Sequence, residues 1–246
     1  MLEQFKVEDV LFIDIETVPQ EKEFRQVSNV LQELWDKKST QFRKEGEAAA
    51  DVYQRAGIYA EFGKIVCISA GIATIRNGLR HFRVKSFAGR DEKVLLTDFA
   101  QMLNGFTIPV GKKELDASKN ICGHNIREFD FPFIARRMLI NGLKLPAILD
   151  IAGKKPWEVK LLDTLDLWKF GDFKHYTSLK LLTTIFGIPS PKDDIDGSDV
   201  ARVYYQENDV ERIAIYCEKD VLATAQLFLR FKGEPLIDPA NFERVI

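Results

Sequence analysis

The sequence VLFIDIET at residues 10–17 sets the expected fold of the chain. Its apolar half is rich in β-branched and aromatic residues, which is typical of a strand buried in the middle of a sheet. Because side chains alternate faces along a strand, Asp14 and Glu16 point to the same face, with their Cα atoms about 7 Å apart. Two buried carboxylates repel each other unless a cation compensates. The pattern is compatible with a metal site, or with two acids beyond the strand's end that simply face water.

Composition narrows the class of protein. The 246 residues are 46% hydrophobic and 29% charged, which is ordinary for a soluble globular protein. A net charge of −2 means that a nucleic-acid partner would be held by a local basic patch or by metals. Cys67, Cys122 and Cys217 form no C-x-x-C pair, so we expect buried free thiols in a reducing compartment. No signal peptide or run of about 20 apolar residues is present, and we expect a cytoplasmic protein without membrane contact.

The hydrophobic pattern predicts an α/β protein with a mixed five-stranded sheet flanked by helices, folding as a single domain over residues 1–246. Strands are expected at 10–17, 64–73, 79–87, 120–125 and 159–167, with a hairpin turn at Asn77-Gly78. Helices are expected at 91–106, 129–141, 178–186, 198–205 and 210–231. A helical insertion at about 21–62 separates the first two strands and carries no assignable motif.

Two later segments supply further acids. Asp130 lies at a loop-to-helix junction, where exposed backbone N–H groups favour a carboxylate, so a capping role is a full alternative to catalysis. Tyr216 and Asp220 are four residues apart and project from one face of the last long helix. A solvated aspartate beside a half-buried tyrosine would give the same pattern.

The ordered combination of these segments is more specific than its parts. D-x-E at Asp14 and Glu16, N-x-x-x-F-D ending at Asp130, and Y-x-x-x-D ending at Asp220 resemble the three exonuclease motifs of the DEDD superfamily. Ile215 occupies the position of the histidine in the histidine subtype, so the chain resembles the tyrosine (DEDDy) subgroup. It is similar, over roughly residues 8–232, to the proofreading exonuclease of family B DNA polymerases and to stand-alone bacterial relatives, which share a ribonuclease-H-like fold.

The resemblance implies a metal-dependent 3′–5′ exonuclease that acts on single-stranded nucleic acid with a free 3′ end and releases nucleoside 5′-monophosphates. It implies that Asp14, Glu16 and Asp220 hold one of two divalent cations, Mg²⁺ or Mn²⁺. Asp14 would also bridge to the second cation, which Asp130 supports, and Tyr216 would orient the attacking water. DNA is favoured over RNA only because the similar enzymes proofread DNA.

Residues beside the motifs are open to two interpretations. Thr17, Asn125 and Phe129 are candidates for contact with the terminal nucleotide, although turn roles for the first two and a core position for Phe129 are alternatives. Structural roles are expected for His124, Asp163, Asp166 and His175. Basic residues that would line the phosphate path, or be ordinary solvated surface, are Arg127, Arg136, Arg137, Lys169, Lys174 and Lys180.

Two alternative functions stay open at this point. An exoribonuclease of the same fold is one of them, because no residue identifies the sugar. A non-catalytic nucleic-acid-binding module is the other, although the presence of all four acids and the tyrosine argues against it. No partner protein is indicated.

Overall fold

A six-stranded mixed sheet forms the centre of the computed structural model, which describes residues 2–155, 158–172, 176–189 and 195–245. Lys174 and His175 lie outside the described residues. The strand order is β5-β4-β1-β2-β3-β6, so β1 is central. The strands are β1 Val10–Pro19, β2 Gly63–Arg76, β3 Leu79–Ala88, β4 Asn120–Gly123, β5 Leu161–Asp163 and β6 Phe242–Val245.

Strand direction divides the sheet into two parts. β2 pairs antiparallel with both β1 and β3, whereas β4 pairs parallel to β1, β5 to β4 and β6 to β3. The turn between β2 and β3 has positive φ at both Asn77 (52°) and Gly78 (77°), as a two-residue hairpin turn requires, so the predicted hairpin is confirmed. The parallel half brings the carboxyl ends of β1, β4 and β5 to one edge of the sheet.

Helices cover both faces of the sheet. The helices are α1 Asn29–Ser39, α2 Glu92–Thr107, α3 Asp130–Ile140, α4 Thr164–Lys169, α5 Leu179–Ile185, α6 Val200–Arg202, which continues into a π turn at Val203–Glu207, and α7 Val210–Lys232. On one face, Ile13 and Ile15 of β1 pack in a common core with α2 and α3. On the other face, Phe12 packs with Val221 and Phe228 of α7. This two-layer burial agrees with the expected ribonuclease-H-like α/β fold.

The number of strands and the length of the fifth strand differ from expectation. Among the described residues the sheet has six strands and not five, because the short polar segment FERV at 242–245 adds an edge strand beside β3. β5 ends at Asp163, well before residue 167. The Asp163 carboxylate accepts a hydrogen bond from the Leu165 N–H at 2.9 Å, which caps α4 and turns the chain into a helix.

β6 also provides a countercharge for the interior. Glu218 of α7 is 3% exposed, and its carboxylate accepts hydrogen bonds from Arg244 of β6 and, at 2.7 Å, from the hydroxyl of Ser86. A buried carboxylate needs such partners, because removal from water penalises the charged form. The arginine thus ties the edge strand to α7.

The insertion between β1 and β2 has an apolar cluster of its own. It contains one α-helix, α1, and short 3₁₀ helices at Phe24–Gln26 and Tyr53–Ile58. Trp35 is fully buried there, and its indole N–H donates to the Ala49 carbonyl at 3.0 Å. The predicted helical character of this insertion therefore holds for α1 and the 3₁₀ helices, while turns make up much of the remainder.

Within the described parts of the chain, no helix combines the length and the apolar character that crossing a membrane requires.

Candidate active site

β1 carries the first two acids into the interior. Asp14 lies opposite Ser69 of β2 and Glu16 lies opposite Cys67, on the face that α7 covers. Glu16 is buried and Asp14 is half-buried. Because β1 continues to Pro19, the two acids lie within the strand and not in water beyond its end. The register shifts between Glu16 and Thr17, which is the irregularity that a β-bulge produces and that is common beside active sites.

Asp130 reaches β1 from the end of β4. It is the first residue of α3 and is 4% exposed. β4 pairs with β1 along Val10–Phe12, and farther along β1 the Ile15 N–H donates to Asp130 Oδ1 at 3.2 Å. The carboxylate therefore binds the backbone of the strand that carries Asp14 and Glu16.

α7 supplies the third part of the cluster. The Tyr216 hydroxyl hydrogen-bonds the Asp220 carboxylate one turn farther along the helix. Cys217, which is fully buried, donates through Sγ to both the backbone carbonyl and the Oδ2 atom of Asp14, at 3.4 Å each. One ligand atom from each of Asp14, Glu16 and Cys217 lies within 4.8 Å of the others.

The acids perturb one another strongly. Burial raises the pKa of Asp14 well above its usual range, and the charges of Asp130, Glu16 and Asp220 raise it further. The pKa of Glu16 is raised well above its usual value by burial, then by the charge of Asp220 and smaller contributions from Cys67 and Asp130. Burial also raises the pKa of Asp130 to about 7, although its backbone hydrogen bonds, including the one from Ile15, oppose this shift. The charge of Asp220 acts on both Asp14 and Glu16, so the four carboxylates share one electrostatic environment, which disfavours the ionised forms of Asp14, Glu16 and Asp130.

These residues fit hard divalent cations. Carboxylate oxygens are the ligands that Mg²⁺ and Mn²⁺ prefer, and a dication would offset both the burial and the mutual repulsion that raise these pKa values. Asp14 and Glu16 supply oxygens within a few ångströms of each other, and Asp130 and Asp220 add charges at the same place. Asp14 and Glu16 are therefore the residues best placed to supply ligand oxygens to such a cation.

Of the three candidates for nucleotide contact, one has a clear turn role. Asn125 has a positive φ of 61°, and its N–H donates to Asp163 Oδ1 at 2.9 Å, so it shapes the turn after β4. Phe129 is half-buried, with its ring centroid 5.5 Å from that of Phe133, and packs against the core. Thr17 is half-buried and follows the bulge next to Glu16. These positions favour the core interpretation for Phe129.

The expected structural residues have structural partners. Asp163 also accepts from the Arg127 N–H at 3.0 Å, so one carboxylate organises both the turn after β4 and the start of α4. Asp166 forms salt bridges with Arg127 and Lys169, each at 3.1 Å. The two ring nitrogens of His124 lie 2.9 Å from the Thr164 hydroxyl and the Thr177 carbonyl.

The phosphate-path interpretation was wrong for Arg137. Its guanidinium is buried and forms an ion pair with Glu92 of α2 at 2.5 Å, so it ties α3 to α2 away from solvent. A single sequence gives no sign of this burial, because the arginine follows another arginine in a helix with an exposed face.

Two residues at the cluster lie outside the sequence-based site. Cys217 was assigned only to the buried thiols, yet it touches Asp14. Tyr176, 65% exposed, has its ring centroid 6.2 Å from that of His124, and its pKa is raised by partial burial and by the charges of Asp130, Asp14, Asp163 and Asp220. The position of Cys217 between Tyr216 and Asp220 was an available signal, whereas Tyr176 belongs to none of the motifs.

Comparison with known proteins identifies the family. None of the curated proteins compared with the chain matches it. A family described as a predicted 3′–5′ exonuclease related to the exonuclease domain of PolB matches residues 58–235. The matched residues include Asp130, Tyr216 and Asp220, whereas Asp14 and Glu16 precede them. The match spans well over half of the chain, and the chain therefore belongs to this family of predicted 3′–5′ exonucleases, a class of enzyme that acts on nucleic acid.

Proposed function

We propose that this protein hydrolyses phosphodiester bonds at the 3′ end of single-stranded DNA and releases nucleoside 5′-monophosphates with the help of two divalent cations. The observation that carries the proposal is the convergence of four acids from three separate segments, Asp14 and Glu16 from β1, Asp130 from α3 and Asp220 from α7. An acidic cluster built from segments so far apart in sequence is unfavourable unless it serves a cation.

Each acid has a proposed role at the cations. Asp14, Glu16 and Asp220 would hold one cation, and Asp14 and Asp130 would hold the other. Two such ions, Mg²⁺ or Mn²⁺, when bound, activate a water molecule and stabilise the leaving 3′ oxygen. The oxygens of Asp14 are central to this arrangement, because its pKa responds to the charges of all three other acids.

Tyr216 is proposed to orient the attacking water. Burial and the neighbouring acids raise the pKa of its hydroxyl above its ordinary value of 10, so the hydroxyl keeps its proton at neutral pH. Its proton is directed to Asp220, which leaves the oxygen lone pairs free to accept a hydrogen bond from water. Tyr216 is therefore a positioning group and not a general base.

The terminal nucleotide is proposed to enter beside β1 and Tyr176. The exposed Tyr176 ring is held against His124, at the side of the four acids, and aromatic rings stack on any base. Thr17 beside the bulge and Asn125 in the turn after β4 are the other proposed contacts, and Phe129 contributes mainly by packing.

The decisive experiment removes Asp14. Asp14→Ala should lower degradation of a 5′-labelled single-stranded DNA oligonucleotide by at least about a thousandfold in Mg²⁺ or Mn²⁺, because both proposed cation positions lose a ligand. Folding, checked by circular dichroism, should persist because a repelling charge is removed. The matched control is Asp166→Asn, which removes an acid that pairs with Arg127 and Lys169 outside the cluster. Unchanged digestion by the Asp14 variant would refute the proposal.

The same assay separates the alternative functions. DNA and RNA oligonucleotides of one sequence are compared, and faster degradation of RNA would replace our proposal by an exoribonuclease. Binding of either oligonucleotide without degradation in both metals would favour a non-catalytic module. A 3′-phosphate on the DNA should slow degradation if the enzyme needs a free 3′ hydroxyl end.

We propose a cytoplasmic location for the protein. Its three cysteines are free and buried, as the sequence predicted, which suits a reducing compartment.

A further inference from the structure

Three of the four acids at the site, Asp14, Asp130 and Asp220, each accept a hydrogen bond from a different donor. The Ile15 N–H directs Asp130, and the Tyr216 hydroxyl directs Asp220. The donor to Asp14 is the thiol of Cys217, which lies 3.4 Å from both the carbonyl oxygen and Oδ2 of that residue. One sulfur atom therefore contacts both the backbone and the side chain of Asp14.

We infer that Cys217 is a positioning residue that holds the Asp14 carboxylate in the orientation required for cation binding. This inference rests on the proposed function. A thiol carries one weak donor, and sharing it between the carbonyl and Oδ2 of the same residue favours the side-chain rotamer that brings those two oxygens together. Loss of a group that orients a metal ligand commonly lowers metal affinity by about 10–100-fold.

The surroundings of Cys217 make its position well defined. The residue is fully buried on the face of α7 that packs on β1 and β2. A hydrogen bond joins it to Cys67, which lies opposite Glu16 in the register of β1 and β2. Cys67 in turn lies 3.6 Å from the Ser69 hydroxyl, opposite Asp14. The two thiols of Cys67 and Cys217 thus lie next to Asp14 and Glu16, and both are fully buried from water.

The sequence position of Cys217 is consistent with this role. It lies between Tyr216 and Asp220 on α7, so a single helix delivers the proposed water-orienting group, the Asp14 donor and a metal ligand. Any shift of α7 along the sheet would therefore change all three contacts together.

The test measures cation binding without nucleic acid. Mn²⁺ is titrated into wild-type protein and into Cys217→Ala, Cys217→Ser and Cys122→Ala, and binding is followed by calorimetry and by the electron paramagnetic resonance signal of free Mn²⁺. Cys217→Ala should weaken Mn²⁺ binding by about tenfold, because the orienting donor is lost. Cys217→Ser, whose hydroxyl still donates, should stay within about threefold of wild type.

Cys122→Ala is the matched control. Cys122 is equally buried, in β4, so its replacement removes a comparable side chain from the core and should leave Mn²⁺ binding unchanged. If Cys217→Ala does not fold, Cys217→Val fills the space without a donor and should show the same weakening. At saturating Mn²⁺ the turnover of the alanine variant should approach that of wild type, which separates orientation for binding from a role in the chemical step.

The outcomes are distinguishable from failure of the proposed function. Wild-type Mn²⁺ affinity in Cys217→Ala, or equal weakening in the serine and alanine variants, would overturn the positioning role alone. A wild-type protein that binds Mn²⁺ but degrades no nucleic acid would overturn the exonuclease proposal, while the binding comparison would still decide the role of Cys217. A wild-type protein that binds no Mn²⁺ would overturn both.

Discussion

At the scale of single residues, the hydroxyl of Tyr216 is the group whose role can be isolated best. Tyr216→Phe keeps the ring in place on α7 and removes the oxygen that we expect to hold the attacking water. Turnover should fall by about tenfold or more, with little change in the KM for the oligonucleotide, because the lost contact serves the transition state more than binding. Steady-state kinetics on single-stranded DNA gives both values.

The control for this substitution comes from the preceding π turn. Tyr205 donates its hydroxyl to the carbonyls of Pro19 and Gln20 at 2.7 and 2.9 Å, so Tyr205→Phe also removes a partly buried hydroxyl. Tyr205→Phe should leave turnover within about twofold of wild type, since the Tyr205 hydroxyl binds backbone carbonyls and has no proposed role at the reacting atoms. If Tyr216→Phe changed the KM and left turnover unaltered, the hydroxyl would instead contact the substrate.

At the scale of elements, the close approach of α7 to the sheet depends on Gly71 of β2. A Cβ atom at Gly71 would lie 2.9 Å from Val221 Cγ1 of α7 and closer still to the ring of Phe82. Gly71→Ala should therefore destabilise the fold by about 1–3 kcal/mol through overpacking. Urea unfolding measures the change. Gly105→Ala is the control, because Gly105 lies in α2 with open space around it, and alanine there should stabilise the helix by about 0.5–1 kcal/mol. Equal effects of the two substitutions would mean that α7 is not closely packed at Gly71.

The elements also show what a single sequence can and cannot predict. The common face of Asp14 and Glu16 and the shared face of Tyr216 and Asp220 follow from local periodicity, so the secondary structure that carries them was predictable. The interior position of the two acids was not, because it depends on β1 continuing to Pro19. The contact of Cys217 with Asp14 joins residues 203 positions apart and depends on how α7 docks, which no local pattern encodes. β6 was not predicted for a similar reason. A four-residue polar segment becomes a strand only because the edge of β3 is available for pairing, and a local pattern does not show this.

At the scale of the whole molecule, the raised pKa values connect stability to pH and to metal. The pKa of Asp130 is about 7 in the folded protein and near 3.8 in an unfolded chain, so the folded state holds this proton more tightly. Its contribution to stability is complete below about pH 4 and is lost as the pH rises through about 7. Asp14 and Glu16, whose pKa values are also raised, act in the same direction. With divalent cations removed by a chelator, the Tm of the protein should therefore be several degrees lower at pH 8 than at pH 5.5.

Divalent cations should reverse this trend, since they bind the ionised carboxylates. Mg²⁺ should raise the Tm more at pH 8 than at pH 5.5, as differential scanning calorimetry can measure. Asp130→Asn should reduce both the pH dependence in chelator and the gain from Mg²⁺. A Tm gain that is the same at both pH values would contradict a shared site of protonated acids.

We also expect one cooperative unfolding transition, in line with our proposal that residues 1–246 form a single domain.

The ion pair between Arg244 and Glu218 gives the tail of the chain an influence on the interior. Glu218 lies in the same helix as Asp220, two residues away, and its buried carboxylate has Arg244 of β6 as a charged partner. A chain shortened ahead of β6 would leave this buried carboxylate without its arginine partner, in the helix that carries Asp220 to the other acids. Removal of β6 would therefore take away an edge strand and would also add repulsion among the acids at the centre of the molecule, which are distant in sequence from the truncation.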